Sequence, residues 1–125
     1  MILLRGKIMK KLFIAAIMSL SLLTTSTYAE IKMGIILGFT GPIESLTPAM
    51  AASAELAFKE ASDSGSLLGG EKITPVRADS TCVDSAAATT AAEGLVSQGV
   101  AAIMGADCSG VTGAIAKNVA VPNGV

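Results

Sequence analysis

Three short apolar runs alternate with three longer stretches in which apolar residues recur at helical spacing, and together they fill residues 30–125 of a 125-residue chain. Ile31 to Leu37 is the first run, broken by Gly38 and the turn Thr40-Gly41-Pro42. Its length and content suit a buried strand. Thr47 stands where it can cap a helix, with Pro48 at the first position, and Met50, Ala54, Ala57, Phe58 and Ala61 fall on one helical face that Gly65 ends. A loop with three glycines, Gly65 to Lys72, leads into the second run, Ile73 to Asp79. Asp84 or Ser85 can cap a second helix with Ala88, Ala91, Ala92, Leu95 and Val96 inward, stopped by Gly99. The third run, Val100 to Gly105, follows at once. Ser109 can then cap a third helix with Val111, Ala114, Ile115 and Val119 inward. This β-α-β-α-β-α order predicts an α/β fold, a doubly wound parallel sheet with right-handed crossovers. Val121-Pro122-Asn123-Gly124-Val125 reads as the turn into a fourth strand. Complete domains normally cover an apolar strand edge, so the chain is expected to be the N-terminal part of a longer protein.

A different signal precedes the alternating pattern. Met9-Lys10-Lys11 is basic, Leu12 to Leu23 is apolar except for Ser19 and Ser21, and Thr27-Tyr28-Ala29 offers small residues at the outer positions of a cleavage site. Residues 1–29 are therefore expected to be a signal peptide, cut between Ala29 and Glu30 to release a periplasmic product. The apolar stretch falls short of the roughly 20 residues a membrane span needs. No cysteine follows the cleavage site to accept a lipid. Residues 1–8 either extend the basic region or precede the true start at Met9.

The remaining 30–125 region keeps Lys32, Lys59, Lys72, Arg77 and Lys117 against ten acidic side chains, a net charge of 5 − 10 = −5. Nucleic acid and anionic membranes are excluded as partners on that balance. Without His or Trp, the chain lacks the usual general base and the usual zinc ligand, and neither a metal nor a cofactor is expected. Abundant Ala with few aromatics suits helices packed closely on a parallel sheet, around one modest core.

Cys82 and Cys108 each stand just past a predicted strand. If those strands lie side by side, both cysteines reach the same carboxyl edge, where loops build ligand sites in open α/β folds. In a cytosolic chain such a pair would suggest metal or redox chemistry. In an exported one it suggests a structural disulfide, with two buried thiols as the alternative. The first loop (Gly38 to Leu46) and the third (Ala106 to Ser109) would open on that edge ahead of helix N-termini, which favour an anion. Gly38, Gly41 and Gly110 would let a ligand approach the backbone closely. Ser109 has two compatible roles, helix cap and ligand contact, and Leu46 is either loop packing or pocket wall. Asp79, Asp84 and Asp107 lie in loops without a His or paired Glu, and they read as solvated turn residues or caps.

Ile31-Lys32-Met33-Gly34-Ile35 followed by Gly38-Phe39-Thr40-Gly41-Pro42 resembles the opening strand and loop of the periplasmic branched-chain amino acid binding proteins. These are substrate-binding subunits of ABC importers with the type I periplasmic-binding fold. Asp79-Ser80-Thr81-Cys82, Gly105-Ala106-Asp107-Cys108-Ser109-Gly110 and Asn118-Val119-Ala120-Val121-Pro122 resemble that family's second-strand ending, third-strand loop and approach to the fourth strand. The cysteine spacing is close to the family's disulfide. The resemblance covers 31–125 and implies the first three βα units of an N-terminal lobe. It also implies a mechanism without catalysis: two hinged lobes of a monomer close on a small solute and deliver it to ABC permease subunits in the inner membrane. Ser109, flanked by Cys108 and Gly110, would hold the polar head of an amino acid. An aromatic position in the family's first loop falls near Leu46. That departure opens the solute class to urea, amides or aromatic acids.

Other classes fit less well. A dinucleotide-binding enzyme needs Gly-x-Gly-x-x-Gly after the first strand, and Gly38-Phe39-Thr40-Gly41 lacks it. A thiol oxidoreductase wants Cys-x-x-Cys, whereas these cysteines are far apart in sequence. The stronger rival is an extracellular ligand sensor on the same fold.

Overall fold

The computed structural model describes residues 30–125, and the expected signal peptide lies outside the described residues. The elements are β1 (Glu30–Leu37), α1 (Thr47–Asp63), β2 (Lys72–Asp79), α2 (Ser85–Ser97), β3 (Ala102–Gly105) and α3 (Ser109–Ile115). α3 runs on through a π-helical turn, Ala116–Ala120, into the short α4 (Val121–Asn123). Among the described residues no helix is long and apolar enough to cross a membrane.

The three strands are parallel and ordered β2-β1-β3. Ile35 of β1 stands opposite Arg77 on one side and Met104 on the other. β2 and β3 are therefore not side by side, because β1 lies between them, yet both end at the same carboxyl edge. Alternation along β1 builds two cores. Ile35 and Leu37 pack with Ala51, Ala54 and Phe58 of α1. Ile36 packs with Ala88, Ala92 and Leu95 of α2 and Val111, Ile115 and Val119 of the α3 region. The crossover from β1 to β2 and the one from β2 past β1 to β3 run in opposite directions, so right-handed connections put α1 on one face and α2 on the other. Gly34 permits the close fit of α2, since a Cβ there would lie 2.9 Å from Leu95 Cδ1.

The α2 and α3 stripes lie inward as the periodicity predicts. The face of α1 is rotated: Thr47, Ala51 and Ser62 are buried, while Met50 and Ala57 are exposed. Two polar residues close this face because both are bonded. Thr47 Oγ1 donates to the Gly38 and Glu44 carbonyls. Ser62 Oγ donates to Phe58 O and accepts the outward N–H of Ile73 at 2.9 Å. Arg77 pins α1 to β2 by donating from Nε and Nη2 to both carboxylate oxygens of Glu55, at 2.6 and 2.9 Å, and lies 5.6 Å from the Phe39 ring centre. The fork geometry is the strong form of this pairing, and it holds the Glu55 carboxyl below its ordinary range.

Two further expectations are corrected. Thr47 and Ser109 are the first residues of their helices, whose N-cap positions are Leu46 and Cys108. Val121 to Asn123 is helical, and Gly124 closes that helix. Pro122 would normally break a helix by meeting the carbonyl four residues back, here that of Asn118. The wider π turn before it accommodates the ring.

Candidate functional site

The loop after β1 turns toward the face of α1, whereas the loop after β3 turns toward the face of α2 and α3. That divergence makes the carboxyl ends of β1 and β3 the switch point of the sheet, where open α/β folds form a crevice. Residues 38–46 follow β1 and residues 106–109 follow β3 at that point.

Three loops converge here, and each pair is tied. Asp107 Oδ2 accepts the N–H of Gly38 at 2.8 Å, joining the third loop to the first. Asp79 joins the first loop to the second: it accepts the Thr40 hydroxyl at 2.6 Å, the Thr40 N–H at 3.3 Å and the Thr81 N–H at 2.8 Å. The Cys82–Cys108 disulfide joins the second loop to the third, with Cα atoms 5.2 Å apart. The bond arches over the end of β1, since the strands it follows are not adjacent. Gly38 lies beneath it, where a Cβ would come within 3.1 Å of Cys82 Cβ. At Gly41, with φ +98°, a Cβ would stand 2.6 Å from Thr81 O. Close approach at these two glycines is therefore by the protein's own second loop. Gly110 differs, because a Cβ there would meet nothing within 4 Å.

Asp79 and Asp107 are thus half-buried ties and not the solvated turn residues expected. Asp84 does cap α2, accepting the Ala86 and Ala87 N–H groups. No side chain caps α1 or α3, the helices flanking the crevice. Pro48 has no N–H to offer, so the open donors are concentrated at Ser109, Gly110 and Val111. Ser109 and Gly110 are exposed, and Leu46, 60% exposed, stands at the start of α1. Among the described residues no cluster of His, Cys, Asp or Glu is placed to hold a metal ion. Sequence reasoning missed Asp107, Asp79, Ser80 and Thr47 as site-building residues. The only signal for Asp79, Ser80 and Asp107 was a position beside a strand end, and Thr47 was marked only as a helix start.

Burial alone would raise the Asp79 carboxyl, but the hydrogen bonds from Thr40, Thr81 and Phe39 outweigh it and hold the group below its ordinary value of 3.8. A depressed native pKa adds stability above the unfolded pKa, and that stability disappears as pH falls through the lower native value. Asp79→Asn is expected to be less stable than the parent at pH 7, with the gap closing below about pH 4. Urea titrations at pH 7 and at pH 2.5 test this, and a gap that persists undiminished at the lower pH contradicts it.

An open parallel sheet whose tied loops frame a crevice at the switch point is the architecture of the type I periplasmic-binding fold. The periplasmic binding protein family matches residues 30–124. Among solved structures, the branched-chain amino acid transporter substrate-binding protein LivJ of Streptococcus pneumoniae, in complex with isoleucine, superposes with a TM-score of 0.68 at 31% identity. The match covers 78% of this chain and 27% of that one, so the chain spans about a quarter of LivJ's length. No curated protein sequence matches. The chain belongs to the periplasmic binding protein family, whose members bind solutes without catalysing their conversion.

Proposed function

We propose that residues 30–125 form part of the N-terminal lobe of an ABC-importer substrate-binding protein that captures a branched-chain-type amino acid in the periplasm. Residues 1–29 serve as its signal peptide, cleaved between Ala29 and Glu30, and the mature monomer delivers the solute to the permease. The observation that carries the reading is the likeness to LivJ, whose structure holds isoleucine. The local chemistry agrees with it. The uncapped start of α3 offers N–H groups and the Ser109 hydroxyl to a carboxylate, with Cys108 fixing the turn and Gly110 leaving the approach open. Leu46 supplies apolar surface across the crevice for an aliphatic side chain.

A charge-assisted hydrogen bond to a carboxylate contributes about 1.5–3 kcal/mol. Ser109→Ala in the full-length protein is therefore expected to weaken isoleucine binding about tenfold or more. The fold should be unaffected, because Ser109 is exposed and is not the cap of α3. Calorimetry with isoleucine, followed by a thermal-shift screen of urea, amides and aromatic acids, tests the reading. A wild-type protein that takes none of the branched-chain amino acids would overturn the solute class. Unchanged affinity in Ser109→Ala would remove that serine from the site.

A further inference from the structure

We infer that Asp107 is the positioning residue of the crevice, with its carboxylate fastening the third loop to the end of β1 so that Ser109 is held at a fixed height above the sheet. The affinity part of this inference rests on the function proposed above.

Even-numbered residues of β1 turn their backbone groups toward β3, as the bond from Ala101 N–H to Lys32 O shows. Gly38 is the next member of that series beyond Ile36, but β3 ends at Gly105, the partner of Ile36. No backbone carbonyl of β3 remains to accept the Gly38 N–H. Asp107 Oδ2 occupies that place at 2.8 Å and so extends the β1–β3 ladder by one charged acceptor. The other oxygen accepts the Ser80 hydroxyl at a long 3.4 Å, and both Gly38 and Ser80 are buried. The carbonyl of Gly38 accepts the Thr47 hydroxyl at 3.2 Å. Gly38 is thereby fixed through both of its backbone groups, each by a side chain.

Along the third loop the two fastenings are consecutive and point in different directions. Asp107 ties to β1, and Cys108 ties sideways to the second loop. Ser109 follows immediately, so its placement depends on both. The disulfide reaches the second loop, whereas Asp107 grips the residue that directly continues β1. Removing the carboxylate also strands a buried N–H, which penalises the observed loop position directly.

Asp107→Ala and Asp107→Asn in the full-length protein separate positioning from bulk stability. Asparagine keeps an oxygen for the Gly38 N–H, whereas alanine does not. In Asp107→Ala, amide exchange at Gly38 is expected to accelerate about tenfold or more, with faster exchange also at Ser109 to Val111, while Ile35 and Ile36 stay protected. In Asp107→Asn these rates should lie within about threefold of wild type. Isoleucine affinity should follow the same order, falling about tenfold in the alanine variant and recovering in asparagine. The wild-type protein also offers a direct test: a through-hydrogen-bond coupling from the Gly38 amide nitrogen to the Asp107 carboxyl carbon. Its absence overturns the inference even if the alanine variant fails to fold. So does unchanged Gly38 exchange in Asp107→Ala, or affinity lost equally in both variants. If wild-type protein binds no isoleucine, the proposed function falls and the exchange and coupling results alone judge Asp107.

Discussion

Gly105→Ala is expected to destabilise the fold by about 3–5 kcal/mol, the sum of a disfavoured backbone conformation and a steric overlap. Gly105 has φ +123°, and a Cβ built there would lie 2.0 Å from Ile36 O and 3.0 Å from Ile36 C. The obstacle is backbone in a strand whose side chain is fully buried, so no rotamer change relieves it. β1 and β3 would have to part at the end where the third loop begins. Urea unfolding of the variant measures the effect, and a loss below about 1 kcal/mol would mean that the strands can slide to make room.

Loss of the disulfide is expected to have the next largest effect. Closing a loop between residues 26 apart removes about 3.5 kcal/mol of unfolded-state entropy in the chain-entropy model. Part of this is offset. Thr81 and Cys82 hold φ of 57° and 69°, a left-handed conformation that costs a side-chain-bearing residue about 1–2 kcal/mol. A loop freed from Cys108 can relax at least one of them. The double variant Cys82→Ala, Cys108→Ala should therefore lose about 1.5–2.5 kcal/mol and still fold. Chemical unfolding of oxidised, reduced and double-variant protein gives the value. Equal stability in all three would show that the bond does not constrain the unfolded chain.

The elements whose burial is one-sided and purely apolar were legible in the sequence. Val111, Ile115 and Val119 stand at helical spacing, and Ala88, Ala92 and Leu95 do the same. α1 was harder because its buried rim is finished by Thr47 and Ser62. Those hydroxyls belong inside only because particular carbonyls and an N–H wait for them. Strand order was not written in any residue, since β1 separates β2 from β3 through the directions of the crossovers. The edge carrying the candidate site followed from the cysteines and the glycine-rich first loop. Its cross-ties did not, because a loop aspartate faces water or a backbone donor according to how three loops meet. The family resemblance reached further than local pattern did, and family membership and the LivJ superposition support it.

The outer flank of β2 carries a separate consequence. Odd-numbered residues of that strand turn their amide groups away from β1, as the bond from Ile73 to Ser62 shows. The Ile73 donor is already taken, and Pro75, exposed two residues on, has none to give. A foreign strand approaching this side would find its register interrupted at two successive positions and could not template onto the sheet. Among the described residues, the β3 side is therefore the flank left open to a further strand. The described sheet is in this way guarded against strand invasion on its β2 side.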